Sequence, residues 1–440
     1  MKIGYLTFGR DDFSYGMAIC MEPLDKKNIF RVTPKTAKYV DVLLFSCFWW
    51  EHIYLLADFL RKAGIKKSDK KRPRIIVGGF NTFNPIPFLH YADEVVVGDG
   101  EDTLWRMIKD PGKDFENVLV EGKKSVIYGE VPNLKAFIHY TNEVGRMEVA
   151  RGCKFKCTFC AVSHLKKYRE VPIEKLSGEI KNSKKRRLAL FAPEPTLHKE
   201  DEKNTDIARR WGRIRLDTDV RLDRIQKRLD SNAVMRCGIE GLSERLRKTI
   251  KKPYTNQKII DVVEMIMKAN RNALFLYIIL DLPGETDEDW EEFREVLIKI
   301  GELPGSGDFL LKPSSNVFMP SPHTPLENAP INYAVDYDKK WREFFSPDGK
   351  RSWKVKMAER TRIFRPPARV LSMLSTRSGI EFGEIEEELT KEKILKINQG
   401  RPMVKDLAGL EKIICKHESM DRYCGQALIK PWSIVKFKHR

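Results

Sequence analysis

Over the first 110 residues, short apolar runs alternate with amphipathic stretches. "MKIGYLTFG", "YVDVLLFS", "RPRIIVGG" and "ADEVVVGDGE" are β-branched or aliphatic, and most are followed by turn residues and a helix-like segment such as "HIYLLADFLRKAG". Runs this uniformly apolar suit strands covered on both faces, with helices returning the chain, so residues 1–110 are expected to form a parallel, Rossmann-like α/β sheet. Ligands of such sheets sit in the turns at the strands' carboxyl ends, here "FGRDD", "SCFWWE", "GGFNTFNP" and "GDGED". Gly78, Gly79, Gly98 and Gly100 are expected there to let backbone approach a ligand.

Residues 111–145 read as a linker with an extra hairpin. A second series then opens at "GRMEVARGC" and continues through "RRLALFAPEP", "GRIRLDTDV", "AVMRCGIEG", "ALFLYIILDLPGE" and "DFLLKPSSNVFMP". Helical patterns such as "TNQKIIDVVEMIMKAN" and "DEDWEEFREVLIKIG" stand between several of these strands. The series predicts a partial (β/α)6 barrel over residues 146–330, with its chemistry at the strands' carboxyl ends. From 331 to 440 the pattern turns helical and charged, as in "EIEEELTKEKILKI".

With 440 residues, 42% of them hydrophobic, the chain is globular and divides into more than one domain. No apolar run approaches the roughly 20 residues of a membrane span. "MKIGYLTFGR" runs into a strand rather than a signal peptide's apolar core, so the expected compartment is the cytoplasm, away from any membrane. Eight irregularly spaced cysteines suggest no disulfide framework in a chain of this length. A formal charge of +18, concentrated beyond residue 150, suits either a soluble Lys-rich surface or a polyanionic partner.

Three of the cysteines lie together in "RGCKFKCTFCAV", as Cys153, Cys157 and Cys160. Zinc wants four ligands, and His164 is a candidate fourth. Iron–sulfur clusters also take four thiolates as a rule, so three leave one iron open to a small molecule. C-x3-C-x2-C with an aromatic residue, Phe159, before the last cysteine resembles the hallmark of the radical S-adenosylmethionine (SAM) superfamily. The resemblance implies a [4Fe–4S] cluster on the three cysteines, with SAM chelating the fourth iron and split by one electron to a 5′-deoxyadenosyl radical. An external electron donor such as flavodoxin or ferredoxin follows from it.

Later segments extend the resemblance. "FAPEPT", at the end of the second barrel strand, offers Glu194 as acceptor for the SAM ammonium, although the family's double glycine is missing. "RLDTDVRLDRI" resembles the family's fourth-strand segment, in which Arg215 or Arg221 would pair a carboxylate. "MRCGIEGLSERLRKTIKKPYT" resembles its fifth-strand motif, with Glu240 for ribose hydroxyls and Arg236 assisting. "LYIILDLPGETDEDW" resembles the sixth-strand segment, with Gly284 against adenine. Each charged residue could equally be an ion-pair member at a barrel rim.

The α/β domain ahead of such a barrel resembles the cobalamin-binding class of the superfamily. Ser46, Phe48, Gly79, Asn81, Gly98 and Glu101 would then line a corrinoid site. D-x-H-x-x-G, the source of a lower histidine ligand elsewhere, is absent, so cobalt would lack one, and a domain without cobalamin stays open. The class implies cobalamin-dependent methyl transfer to an unactivated carbon, from methylcobalamin to a substrate radical. Alternatives are an isomerisation or rearrangement without methyl transfer, a peptide or natural-product methylase, and a methylthiotransferase. The last needs three further cysteines where only Cys20 and Cys47 occur. Cys415 and Cys424, with His417 between them, fit no metal template and read as free thiols.

Beyond the sixth strand, "VFMPSPHTPLEN" holds His323, a candidate acid or base, and a structural histidine on the alternative reading. "KNSKKRR", "KKPYT" and "TRIFRPPARVLSMLSTRSG", the last with Arg362, Arg365, Arg369 and Arg377, favour phosphate contacts and so DNA or RNA as partner, with a nucleic-acid base as substrate. The non-enzymatic alternative is a nucleic-acid-binding protein whose cluster is structural.

Overall fold

A computed structural model describes the chain except residues 9–13, 141–143, 184–186, 213, 217–218, 230–234, 270, 272, 346–355, 358–359, 362–365, 399–400, 405, 426–429 and 439–440. Strands β1 (Ile3–Thr7), β2 (Ile29–Arg31), β3 (Val42–Ser46), β4 (Arg74–Gly78), β5 (Glu94–Val96) and β6 (Val118–Leu119) form one sheet. Their order is β2-β1-β3-β4-β5-β6, all parallel except the β5–β6 pair. Alternate residues serve opposite faces. Leu43, Phe45, Ile75 and Val77 join the core beneath α2 (His52–Ala63), whereas Val42, Leu44 and Ile76 pack with residues of α1 (Tyr15–Met21) and α3 (Leu104–Lys109). The strand order reverses between β1 and β3, the place where a sheet of this order opens a crevice.

Within residues 111–145, the stretch expected to hold a hairpin, His139–Tyr140 pair antiparallel with Val144–Glu148. The short strands of this stretch go to three different sheets: β6 to the first, β7 (Val126–Ile127) to a two-stranded ladder with β22 (Val435–Lys436), and β8 (His139–Tyr140) to the barrel. The barrel strands are β9 (Val144–Glu148), β12 (Arg187–Phe191), β13 (Ile214–Leu216), β14 (Asp219–Arg221), β15 (Met235–Glu240), β16 (Ala273–Leu280) and β17 (Leu310–Val317). They form two arcs, β13-β12-β9 with β8 at its edge and β14-β15-β16-β17 with the short β18 (Lys356–Met357) and β19 (Arg360–Thr361). β13 and β14 both fall within the one expected run "GRIRLDTDV" and its next residue, so the expected six-strand series is present. Along β16 the exposure alternates strictly: Leu274, Leu276, Ile278 and Leu280 are sealed in the core shared with α8 (Asn256–Lys268) and α9 (Asp287–Gly301), and the intervening residues are half-buried.

The family-based strand ordinals need correction. The segment expected as fourth is the third strand, the "fifth" is the fourth (β15), and the "sixth" is the fifth (β16).

The C-terminal region is helical, with α10 (Tyr337–Phe345), α11 (Pro366–Arg377), α12 (Phe382–Lys391), α13 (Leu407–His417) and α14 (Met420–Cys424), plus the hairpin β20 (Leu395–Asn398) and β21 (Arg401–Val404). Leu371, Leu374, Phe382, Ile385, Ile414 and Tyr423 belong to the same buried cluster as α2 and the first sheet. Tyr54 donates its hydroxyl hydrogen to Leu371 O at 2.7 Å, and Arg61 pairs with Glu386 at 2.8 Å. The last hundred residues therefore complete the first domain's core.

Two of the arginines expected to meet phosphate are structural. Arg377 is buried and donates to the carbonyls of Tyr423, Gly425, Glu327 and Ala329 at 2.7–2.9 Å. Arg369, equally buried, pairs with Asp281 and donates to Asn332 O at 2.6 Å. Arg362, Arg365 and residues 184–186 of "KNSKKRR" lie outside the described residues. No described helix is long and apolar enough to cross a membrane.

Candidate active site

The cysteine loop is closed at its base by β10 (Ala150–Arg151) paired antiparallel with β11 (Arg169–Glu170). Gly152 makes the turn into it at φ +78°; a Cβ there would stand 2.5 Å from Lys167 O, which restricts the position to glycine. Cys157 is buried, Cys153 and Cys160 are half-buried, and Cys160 leads into α4 (Ala161–Leu165). Burial pushes the Cys153 thiol up to about 11. It raises Cys157 too, against the pull of Lys252 and Arg221. His164 Nε2 lies 3.0 Å from Cys157 O, so that nitrogen is engaged by backbone rather than presented to a zinc ion. Phe159 is half-buried against the barrel core.

Four charged side chains surround this loop. Arg221 brings Nη1 to 3.6 Å from Cys157 Sγ and stacks 3.8 Å from the Phe155 ring centroid. Its backbone N–H donates to Glu194 Oε2 at 2.8 Å, tying the end of β14 to the turn after β12. Glu194 is buried and also accepts from Thr196 N–H at 3.3 Å and from the Thr196 hydroxyl. Burial raises its pKa, and these hydrogen bonds restrain the rise.

Glu240 takes φ +63° after a bulge in β15, so its carboxylate curls back over Gly238. Lys252 reaches it at 2.8 Å and donates to Gly238 O at 3.2 Å. A Cβ on Gly238 would meet Glu240 Oε1 at 2.0 Å and Lys252 Nζ at 3.0 Å, so the missing side chain is the space the ion pair occupies. Lys252, noticed in the sequence only as part of a basic run, is thus a buried member of the site. Burial pulls its pKa down, but Glu240 more than restores it.

Thiolates are soft donors that suit iron or zinc. Among the described residues no three His, Cys, Asp or Glu side chains close around a single ion. A cluster instead takes one thiolate per iron, and three thiols on one loop beside two cations fit that group. Thr158 Oγ1 is buried here without a hydrogen-bond partner among the described residues, a polar atom that a bound group would meet, and Arg221 Nε stands 3.4 Å from Asp223 Oδ1.

Other expected residues fall elsewhere. The side chain of Arg215 is outside the described set, its backbone standing opposite Ala189 on β12. Arg236 is four residues up-strand of Glu240, about 13 Å away along the strand, and faces the Phe275 ring at 5.4 Å from its centroid rather than Glu240. Gly284, at φ +82°, turns the chain out of β16 with its carbonyl held by Arg245 at 2.8 Å. His323 is not in the cavity wall: Nε2 lies 3.0 Å from Phe83 O, its N–H donates to Glu327 at 2.7 Å, and its ring meets Phe437 edge-on. These contacts make it a tether between the first domain and the C-terminal strand. Cys415 is exposed, Cys424 is buried, and His417 bonds Glu388 at 2.8 Å.

A cavity of about 700 Å³ lies at the carboxyl ends of β1, β3, β4 and β5 and reaches the barrel residues Arg146, Glu148 and Phe191. Ser46, Phe48, Gly79, Gly98 and Glu101 line it as expected. Asn81 does not; it is buried, its N–H bound to Cys47 O at 3.0 Å. Gly79 and Gly98 answer to backbone crowding rather than to a ligand. A Cβ would stand 2.5 Å from Cys47 O at the first and 2.4 Å from Gly129 O at the second, and both have positive φ.

Exposed Phe48 and Trp49 form an apolar lip, and Phe8 and Phe80 continue it inward. A volume of this size walled by aromatic faces at the switch point fits a large planar ligand. His52 lines it too. Its Nδ1 lies 3.1 Å from Phe48 N and 3.4 Å from Ser46 O, so backbone engages that nitrogen. At the cavity's edge Arg151 binds Asp99, Glu101 and Glu148 at 3.0, 2.6 and 2.7 Å, joining the sheet to the barrel.

Residues 147–297 match the family model described as the Radical SAM superfamily. An uncharacterized protein of Methanocaldococcus jannaschii is 26% identical over 265 residues, covering 56% of this chain and 59% of that protein. A tRNA-2-methylthio-N(6)-dimethylallyladenosine synthase of Bdellovibrio bacteriovorus is 25% identical over 180 residues, 35% of this chain and 39% of its own. This chain thus spans less than two thirds of either relative. Among solved structures, the radical SAM methyltransferase TsrM of Kitasatospora setae, with tryptophan and a SAM analogue bound, superposes with a TM-score of 0.54 at 12% identity, over 74% of this chain and 75% of that one.

Proposed function

We propose, from the premise that residues 147–297 make this chain a member of the radical SAM superfamily, that it is an enzyme modifying an unactivated carbon, with methyl transfer as the reaction. The observation that carries the reading is the convergence of Cys157, Glu194, Arg221, Glu240 and Lys252 beyond the carboxyl ends of β9, β12, β14 and β15. When bound, a [4Fe–4S] cluster with SAM supplies one-electron cleavage of a sulfonium C–S bond and hydrogen abstraction from carbon.

Cys153, Cys157 and Cys160 would hold the cluster. Arg221 and Lys252 place positive charge beside Cys157, which favours its thiolate. Glu194 stands buried with both oxygens oriented by N–H and hydroxyl donors, ready to accept from an ammonium. Glu240, held by Lys252, would serve ribose hydroxyls, with Gly284 the candidate neighbour of adenine. The barrel wall and the sheet above it exclude water.

The crevice at the sheet's carboxyl edge would take a corrinoid, with Phe48, Trp49 and Phe80 along its plane. The sequence relatives favour a methylthiotransferase as the second reading. Against it, the first 150 residues hold only Cys20 and Cys47, and Cys47 is wholly buried. With Arg369 and Arg377 buried, a nucleic-acid partner draws support from the overall charge of +18 alone.

Anaerobic reconstitution with iron and sulfide, followed by SAM and dithionite, tests the reading. 5′-Deoxyadenosine is expected, and none above a Cys157→Ala control overturns it. Corrinoid is tested separately by whether its visible absorption follows the protein through gel filtration.

A further inference from the structure

The chain around the three cysteines carries charge of one sign. Residues 151–169 and 245–254 together hold eleven lysines and arginines and no aspartate or glutamate. The two stretches meet: Thr158 N–H donates to Ile250 O at 3.2 Å, which sets the end of α7 (Glu244–Thr249) beside the cysteine loop. Six of the eleven cations reach carboxylates of other segments, as Arg151 reaches Asp99 and Lys252 reaches Glu240. The other five, Lys154, Lys156, Lys167, Lys248 and Lys251, are all exposed.

Exposed Lys154 and Lys156 alternate with half-buried Cys153 and Phe155 and buried Cys157, so the loop turns its lysines to solvent and its thiols inward. Both lysines are held in place. Lys154 Nζ stands 4.4 Å from the Tyr168 ring centroid, and Lys156 Nζ donates to Ser163 O at 2.8 Å. Acids that border the face are engaged, Asp223 by Arg221 and by the Tyr254 hydroxyl at 3.0 Å, Glu130 by the Lys167 N–H at 2.8 Å. A hydrated ammonium needs no partner, so the face is unstrained; what it presents is a field of one sign. Among the described residues of the two stretches no large apolar side chain is exposed. Charge without apolar area suits a partner that comes and goes, since electron-transfer encounters use small interfaces whose rim charges set the rate of association. None of the five lysines lines the cavity at the sheet's edge, so a partner seated on them leaves the substrate's side open.

We infer that these five lysines form the docking face for an acidic carrier protein that delivers single electrons to the metal group held by Cys153, Cys157 and Cys160. The carrier's own centre is oxidised by one electron and that group is reduced by one; no bond or proton moves. The electron's destination rests on the radical SAM reading, whereas the charged face itself stands on the geometry.

Titration calorimetry of the full chain with an acidic flavodoxin, and separately with a two-iron ferredoxin, tests it, before and after loading with iron and sulfide. At least one carrier is expected to bind, and less tightly as salt is added. Lys154→Glu and Lys251→Glu should each weaken that binding by about tenfold or more, and Lys154→Arg should stay within about threefold of the unaltered chain. Lys391→Glu, at an exposed lysine of α12, makes the same change in net charge and should leave binding unaltered. Thermal melts followed by circular dichroism confirm that the variants fold. Zero-length carbodiimide coupling of carrier carboxylates to the unloaded chain, mapped by mass spectrometry, should place the links on the five lysines. Links elsewhere, binding of neither carrier, or an equal loss with Lys391→Glu, as a diffuse attraction to a +18 chain would give, overturns the face. So does capture of a single-stranded RNA oligonucleotide by the same lysines with neither carrier bound. Reconstituted preparations then report 5′-deoxyadenosine with the carrier and with dithionite as reductant. The charge-reversed variants should lose the carrier-driven rate and keep the dithionite-driven one. An unaltered carrier-driven rate removes the face alone; no product even with dithionite removes the radical reading and leaves the binding and the links standing.

Discussion

Lys252 Nζ lies 2.8 Å from Glu240 Oε1 inside the barrel, both side chains less than 15% exposed, over a glycine whose missing side chain makes the room. Removing one partner strands the other's charge, whereas removing both does not. Lys252→Met alone should therefore destabilise the fold by about 3 kcal/mol, and Glu240→Gln with Lys252→Met together by clearly less than the two single changes summed. Denaturant midpoints over the four chains of the cycle measure this coupling; additive losses would show that the pair does not act as a unit.

Cys157→Ala should lower iron per chain after reconstitution and reduce 5′-deoxyadenosine to the background of a reaction without protein. Cys415→Ala, at an exposed thiol away from the loop, should leave iron content unchanged. Iron assay on both variants separates a cluster on the C-x3-C-x2-C loop from adventitious loading.

Arg377 satisfies four backbone carbonyls from two segments, residues 327–329 and 423–425. Arg377→Met leaves those acceptors buried and unpaired, a loss on the order of 3–5 kcal/mol. The readout is the urea midpoint at neutral pH, and a shift too small to resolve would return this arginine to the surface role its sequence suggested.

The elements legible in the chain were those whose burial writes a pattern. The uniform runs of β3 and β4 and the strict alternation of β16 announced sheets covered by helices, and the spacing of Cys153, Cys157 and Cys160 announced the loop. Interactions between distant segments left no such trace. Arg369 and Arg377 look like a cationic stretch in sequence because their partners, Asp281 and the carbonyls near residues 327 and 424, are remote along the chain. Lys252 was hidden in "KKPYT" for the same reason. The glycines of the cavity stand out in the sequence as places for a ligand's approach, whereas the crowding at Gly79 comes from Cys47, on a different strand end, which no local pattern reports.

Glu285, in the turn after β16, is pushed up to about 7 by burial, with Asp281 adding to the rise. Its folded value exceeds the unfolded one near 4.5, so the folded chain holds this proton more tightly, and stability is lost as pH rises from about 4.5 through 7. Glu285→Gln keeps an acceptor for Trp290 Nε1, 3.0 Å away, and removes the charge. It should stabilise the chain at pH 8 by about 2 kcal/mol and leave it little changed at pH 4.5. Denaturant titrations at the two pH values give the comparison, and an equal effect at both would refute the assignment.

The packing of α11 to α14 against α2 and the first sheet bears on the order of events during synthesis. The opening domain emerges from the ribosome first, yet one side of it has no cover until residues 370–435 follow. Until then Tyr54 and Tyr91, whose rings meet Phe382 edge-on, present an uncovered flank, so a ribosome stalled within the barrel would release a sticky intermediate, and residues 370–435 act as the clasp that closes over it.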